Sequence, residues 1–262
     1  MHPHAYRRGG DKSDGFPQVI LLQDLAEWRK IWCRPDVQPD APWRHAPLKA
    51  STLTPLTAQD IWTAARSFSS TTSVGCDGFP PRALADLSTP LRDCIAQFLN
   101  LAEQTGKWPS SVEASLIHLI PKPEGGRRPI GVLPSIVRVW ERARKETVQR
   151  WVGEHARSYD WATQGRSSEG AVWYQSLVDE GAAADGHSSA TVLMDLSKAF
   201  EMVSLQKVWE AGVRHRFPLH ILRLVLESFA FARHLTYQGA ISEGTLTLSA
   251  VLAGGGFAQV AL

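Results

Sequence analysis

The chain has 262 residues, of which 44% are hydrophobic, so it can bury a full core as one large or two modest domains. Its formal net charge of +2 is too small to indicate a nucleic-acid partner on its own. Residues 1–18 lack the apolar core of a secretory signal, and the most apolar stretch, 219–232, is interrupted by Arg223 and Glu227. We therefore expect neither a signal peptide nor a membrane span.

The three cysteines, Cys33, Cys76 and Cys94, are widely spaced and form no pair with the spacing of metal ligands. Scattered cysteines in odd number favour a reducing compartment over a disulfide framework. We expect an intracellular protein, nuclear or cytoplasmic.

The first fifty residues are rich in proline, histidine, arginine and tryptophan. Apolar residues spaced for one face predict a helix over Leu21–Trp32, followed by a linker punctuated by prolines. We expect residues 1–50 to form an extension or linker whose role the sequence leaves open. The capping-box pattern at Thr57–Asp60 then predicts the start of a helix that buries Ile61 and Phe68.

Helical and strand-like patterns alternate through the rest of the chain. The predicted helices are 89–104 (ended by Gly106), 135–151, 171–179, 205–211 and 219–231. The predicted strands are 115–120 and 129–133 around a turn at Gly125-Gly126, a central strand at 190–195, and a hairpin of 234–239 with 245–251. This mixture predicts an α+β fold.

Positive charge is concentrated in one segment. Between residues 122 and 150 there are eight Lys or Arg residues against three Glu residues: Lys122, Arg127, Arg128, Arg138, Arg142, Arg144, Lys145 and Arg150. Such a segment is either an ordinary solvated helix face or a surface for nucleic-acid phosphates, and both interpretations stay open.

The predicted hairpin carries two cations on adjacent strands, Lys122 and Arg128. A lysine offers a point charge and an arginine offers a fork of donors, so the pair could clamp a triphosphate. The alternative is a charged hairpin in solvent.

One acidic residue stands out at the end of the predicted central strand. The run Thr191–Phe200 delivers Asp195 beside a small residue and an aromatic one, Phe200. A hard carboxylate oxygen next to a flat side chain suits a metal-dependent phosphoryl-transfer site, although Asp195 could also cap a strand-to-helix turn. One carboxylate cannot hold two metal ions.

Several short motifs, in order, resemble the reverse transcriptase domain of non-LTR retrotransposons and group II introns. The resemblance covers residues 51–262. Its motifs are Gly75-Cys76-Asp77-Gly78, "IPK…RPI" at 119–130, Arg138 with Glu141, a loose "QxGF" at Gln164–Ser167, "DLSKAFD" at 195–201, and "GVPQG" at 250–254. The order of these short motifs is what makes the resemblance specific.

The resemblance implies roles for six residues. Lys122 and Arg128 would contact the phosphates of the incoming deoxynucleotide. Asp195, with the backbone carbonyl of Leu196, would bind Mg²⁺, of which a complete domain is expected to hold two ions. Phe200 would lie under the deoxyribose and reject a 2′-hydroxyl, and Gly254 would belong to the nucleotide-binding loop.

The chain departs from the family pattern in three places. Glu201 replaces the second aspartate of "DLSKAFD", and Ala250 and Ala253 replace the first glycine and the glutamine of "GVPQG". No Asp-Asp pair occurs in the sequence, so the "YxDD" motif that supplies the second set of metal ligands is absent. The exchange at Ala253 puts the grip on the template in doubt.

The resemblance implies a right-hand polymerase fold with fingers over 51–165 and a partial palm over 166–262, incomplete at its C-terminus. The implied function is that of the N-terminal part of an RNA-directed DNA polymerase, which transfers deoxynucleotides to a primer 3′-hydroxyl on an RNA template. We expect this chain by itself to be inactive. The oligomeric state is open.

Two alternatives remain open from the sequence. The chain could be a non-catalytic nucleic-acid-binding fragment that uses its basic 122–150 surface. It could also be a decayed remnant of a retroelement, in which case an incomplete sheet would leave apolar surface exposed.

Overall fold

The computed structural model describes residues 16–34, 41–123, 125–161, 165–192, 194, 196–247 and 249–261. Its helices are α1 (Pro17–Trp32), α2 (Pro42–His45), α3 (Ala58–Arg66), α4 (Thr89–Thr105), α5 (Ser135–Ala143), α6 (Lys145–His155), α7 (Ser168–Ala184), α8 (Ala199–Met202), α9 (Leu205–Arg214) and α10 (Leu219–Phe229). Two short 3-10 helices span Pro81–Asp86 and Ser110–Val112. The strands are β1 (Ala114–Pro121), β2 (Arg127–Val132), β3 (Ala232–Tyr237) and β4 (Ala240–Ile241).

In the described part of the chain the strands form one mixed sheet in the order β2-β1-β3-β4. β1 pairs antiparallel with β2, placing Ile120 opposite Arg128, and it pairs parallel with β3. The predicted strands at 115–120 and 129–133 are confirmed, and the glycine turn between them closes with the Lys122 amide donating to the Gly126 carbonyl at 3.0 Å. Helices with one small mixed sheet confirm the α+β class.

The predicted pairing of 234–239 with 245–251 is wrong. β3 pairs instead with the short β4, and Thr245 makes only an isolated bridge to Arg233. The reason is local, because Gln238 and Gly239 both adopt positive φ, 46° and 85°. Two central residues with positive φ are the geometry of a tight two-residue hairpin turn, which reverses the chain at once.

The predicted central strand at 190–195 is also not found. Its described residues, 190–192 and 194, lie in no strand, and Asp195 lies outside the described residues. Val192 and Met194 are 81% and 88% exposed. A strand needs a neighbour to satisfy its backbone groups, and within the described ranges no strand pairs with this segment.

Local signals placed the helix starts and ends well. Thr57 caps α3 in a reciprocal box with Asp60, and α4 ends at Gly106, which has a left-handed φ of 67°. The predicted helix 135–151 is instead two helices, α5 and α6, joined at Arg144.

The hydrophobic core joins the N-terminal helices to the rest of the described chain. α1 packs on β3 and β4. Its Leu25 and Trp32 are buried, as is Trp43 of α2, in the same cluster as Trp140 of α5 and Leu224 of α10. Within the described ranges, none of the helices combines the length and apolar character needed to cross a bilayer.

Candidate functional site

The tip of the β1–β2 hairpin carries the two predicted phosphate ligands. Arg128 lies directly opposite Ile120, and Lys122 is two residues further on beside the glycine turn. Residues opposite each other in an antiparallel pair share a face, so Lys122 and Arg128 occupy diagonal positions, roughly 7–8 Å apart in a regular ladder. Both side chains are exposed. The register therefore places the two cations on one face at the end of the hairpin.

The neighbouring Arg127 points to the opposite face of the hairpin, where it contacts α1. It forms an ion pair with Asp24 of α1 at 2.5 Å, and its guanidinium lies 5.0 Å from the ring centroid of Tyr237. Burial raises the pKa of Asp24, while the charge of Arg127 opposes that rise. Arg127 thus fastens α1 to the sheet, whereas Arg128 faces solvent.

The glycine-rich segment, residues 250–256, runs along the outer edge of β2. The Gly131 amide donates to the Ala253 carbonyl at 2.6 Å, so part of this sheet edge is covered. Gly254 has a φ of 110°, and a Cβ added there would collide with the Gly131 carbonyl oxygen. Gly131 lies three residues from Arg128, about 10 Å along a strand. The structure thus places Gly254 beside the strand that carries Arg128.

A buried carboxylate on α5 holds the same segment from its other side. Glu141 is 5% exposed, and its Oε1 accepts a hydrogen bond from the Gly256 amide at 3.0 Å. Burial raises the pKa of Glu141 to about 7, and the Gly256 amide and the nearby Arg138 partly oppose this rise. The sequence contains no signal for this contact, because its two residues are 115 positions apart.

Phe200 adjoins the start of the glycine-rich segment. Its carbonyl accepts a hydrogen bond from the Val251 amide at 2.8 Å, and its half-buried ring packs against the core. Backbone contacts therefore connect α8, the glycine-rich segment and β2, which between them carry Phe200, Gly254 and Arg128. These backbone hydrogen bonds link Phe200 to the strand that carries Arg128 through the glycine-rich segment.

The predicted metal ligands are only partly visible. Leu196 is 76% exposed, and Asp195 lies outside the described residues. Among the residues with a described position, no three His, Cys, Asp or Glu side chains come close enough to hold a metal ion.

The loop at Gly75–Phe79 braces the start of α5. The Ser135 amide donates to Asp77 Oδ2 at 2.6 Å, the Ser135 hydroxyl donates to the Phe79 carbonyl, and Arg138 donates to the Ser73 carbonyl at 2.6 Å. Asp77 therefore satisfies a helix-start amide from fifty-eight positions away. The sequence around Asp77 contains no signal for this capping role, because the two residues are far apart in the chain.

In comparisons with known proteins, no family model matches the chain and no curated protein matches it.

Substituting alanine for Gly254 should loosen the segment beside β2. The φ of 110° is a conformation for glycine, and the added methyl group meets the Gly131 carbonyl. We expect a loss of about 1–3 kcal/mol in the free energy of unfolding, measured by urea titration. The matched control is Gly153→Ala, in α6, where a Cβ meets nothing and alanine favours the helix. Equal effects of the two substitutions would contradict the assigned geometry.

Proposed function

We propose that the chain is part of an RNA-directed DNA polymerase of the non-LTR retrotransposon and group II intron type, with fingers and palm regions. In this proposal it acts inside the cell on deoxynucleoside triphosphates, an RNA template and a DNA primer. The observation that carries the proposal is the pair of cations, Lys122 and Arg128, at diagonal positions on an exposed hairpin tip.

The backbone at Ala250 supports the same proposal. The family motif has glycine at this position, and the chain has alanine. Ala250 nevertheless adopts a φ of 74°, which glycine favours and alanine rarely takes. The fully buried Arg233 holds it there by donating to the Ala250 carbonyl at 2.7 Å. The turn shape that a glycine would serve is therefore kept although the residue has changed.

The described side chains would bind and orient a nucleotide. Lys122 would supply a point charge and Arg128 a fork of donors to the phosphate oxygens. Gly254 would hold the nucleotide-binding loop close to the strand that carries Arg128, because a side chain there would meet the Gly131 carbonyl. Phe200 would present its ring to the sugar and reject a 2′-hydroxyl by bulk. Asp195 and the Leu196 carbonyl are the proposed ligands of Mg²⁺, a hard ion that prefers oxygen.

Removal of either cation should weaken deoxynucleotide binding. A hydrogen bond to a charged group contributes about 1.5–3 kcal/mol, so we expect Lys122→Ala and Arg128→Ala each to raise the Kd for a fluorescent deoxynucleoside triphosphate roughly 10- to 100-fold. The matched controls are Lys107→Ala and Arg66→Ala, which remove exposed cations elsewhere.

The results separate the proposal from its alternative. If the parent chain binds no deoxynucleoside triphosphate but binds RNA or DNA in a salt-sensitive manner, the non-catalytic nucleic-acid-binding fragment is favoured instead. If the control variants lose as much nucleotide affinity as the hairpin variants, the hairpin is not the phosphate site.

A further inference from the structure

An open groove lies away from the hairpin, where the end of α6 meets the segment before α7 and the residue after α9. It encloses about 710 Å³, within the ~300–1,000 Å³ of typical ligand sites. Its lining combines planar rings with charged groups, namely Trp151, His155, Arg157, Tyr159, Asp160, Trp161 and His215. These lining residues lie outside the motifs that resemble a reverse transcriptase.

The rings at one end of the groove are held in place by α6 and α9. Trp151 stacks on His155 with centroids 4.3 Å apart and planes 18° apart, and its indole nitrogen donates to the His215 carbonyl at 3.1 Å. Phe217 packs edge-on against Trp151. A planar platform is therefore fixed before any ligand arrives, which limits the entropy lost on binding.

The other end of the groove is built around one guanidinium. Arg166 Nη1 donates to the carbonyls of Arg157, Ser158 and Asp160 at 2.6, 3.0 and 2.7 Å. The same guanidinium lies 5.7 Å from the centroid of the Trp161 ring. Arg166 thereby folds residues 157–161 into a compact loop that displays Tyr159, which is 69% exposed.

The charge around the groove favours an anionic ligand. The lining itself holds one cation, Arg157, and one anion, Asp160. The sequence segments that supply the lining, 145–161 and 213–217, contain five exposed Lys or Arg side chains against three acidic residues; the cations are Lys145, Arg150, Arg157, Arg214 and Arg216. Cations that border exposed aromatic rings are the combination used to bind single strands, since unpaired bases stack on the rings and phosphates meet the cations.

We infer that this groove binds single-stranded nucleic acid by stacking unpaired bases on Trp161 and Tyr159, with Arg157 and its neighbours at the phosphates. Base-paired strands keep their base faces stacked on each other and cannot use these rings in the same way. The identification of the bound strand as the template rests on the proposed function. Single-strand binding by the groove does not depend on that proposal.

The test is fluorescence anisotropy of labelled oligo(U) and oligo(dT), and of a duplex of equal length, with the 262-residue chain. We expect Tyr159→Ala and Trp161→Ala each to weaken single-strand binding about tenfold, because one stacking contact is lost. Tyr159→Phe keeps a ring and should retain the affinity of the parent. Trp62→Ala removes a tryptophan that is 38% exposed on α3 and serves as the matched control.

Three outcomes would overturn the inference: unchanged affinity in both alanine variants, tighter binding to duplex than to single strands, or affinity that does not fall as salt rises. The exposed Tyr159 keeps the test valid if Trp161→Ala does not fold, which circular dichroism will show. Deoxynucleotide binding measured on the same variants should stay at the parent value. Variants that lose single-strand binding but keep nucleotide binding show that the groove and the nucleotide site act independently. The inference about the groove and the proposed function can therefore fail separately.

Discussion

Replacing Arg144 with alanine should lower the free energy of unfolding by about 3–5 kcal/mol, the cost of breaking a buried ion pair. Arg144 and Glu103 are both 5% exposed, and the guanidinium donates to the carboxylate through Nε and Nη2, each at 2.6 Å. Trp140 also donates to Glu103 at 2.7 Å, and Arg144 reaches the Thr54 carbonyl at 2.9 Å. The substitution leaves a buried carboxylate without its counter-charge.

Urea unfolding of four variants measures this effect. Glu103→Leu should cost as much as Arg144→Ala, because it leaves a buried guanidinium instead. The double variant Glu103→Leu/Arg144→Met replaces the pair with apolar side chains and should be more stable than either single variant. Lys145→Ala, the exposed neighbour on α6, is the control and should change stability by less than about 0.5 kcal/mol. A double variant no more stable than the single variants would show that the pair is not coupled.

The pH dependence of stability should report on Glu141. Burial raises the pKa of Glu141 from its ordinary 4.5 to about 7, so the folded protein keeps a proton that the unfolded chain has already released. The stabilisation is complete below pH 4.5 and is lost as the pH rises through about 7. The loss amounts to roughly 3 kcal/mol, at about 1.4 kcal/mol for each unit of pKa difference.

Glu141→Gln isolates this contribution, because an amide stays neutral and can still accept from the Gly256 amide. We expect its stability to fall less than that of the parent between about pH 5 and pH 8 in urea titrations. The pH profile of Glu141→Gln is subtracted from that of the parent, because burial also lowers the pKa of His118. That shift makes stability rise with pH, opposite to the effect of Glu141. The exposed Glu146→Gln is the matched control. Identical pH profiles for parent and Glu141→Gln would refute the buried, protonated carboxylate.

This prediction also bears on the candidate site. Glu141 contacts the segment that includes Gly254 and lies along β2, so ionisation of the carboxylate would act directly on that segment. Hydrogen exchange at the Gly256 amide, followed against pH, should show faster exchange as Glu141 ionises. If the Gly256 amide keeps the same protection relative to neighbouring amides at every pH, its contact with Glu141 does not respond to the charge of the carboxylate.

Chemistry contained in a few consecutive residues was predictable from the sequence. The box at Thr57–Asp60, the stop at Gly106 and the turn at Gly125-Gly126 each act through neighbouring backbone groups, and the structure places all three as expected. The turn also sets the register that brings Lys122 and Arg128 to one face, so the hairpin end of the candidate site followed from local pattern alone.

The segment 190–195 shows where local pattern fails. Its β-branched and apolar residues favour a strand, but strand formation depends on a partner, and among the described residues none pairs with it. The pairing of β1 with β3, more than a hundred residues later, carries no local signal either. Arg144 likewise shows helical propensity in the sequence, yet it joins two helices, and its side chain reaches Glu103 forty-one positions earlier.

By itself the sequence determined the α+β class, several helix boundaries and the cation-bearing hairpin, because these depend on contacts between near neighbours. Only the tertiary structure decided that Glu141 holds the glycine-rich segment, that this segment lines the edge of β2, and that the rings of Trp151, Tyr159 and Trp161 share one groove. The first two arrangements join residues that are far apart in the chain, and all three are set by packing and hydrogen bonding in the folded state.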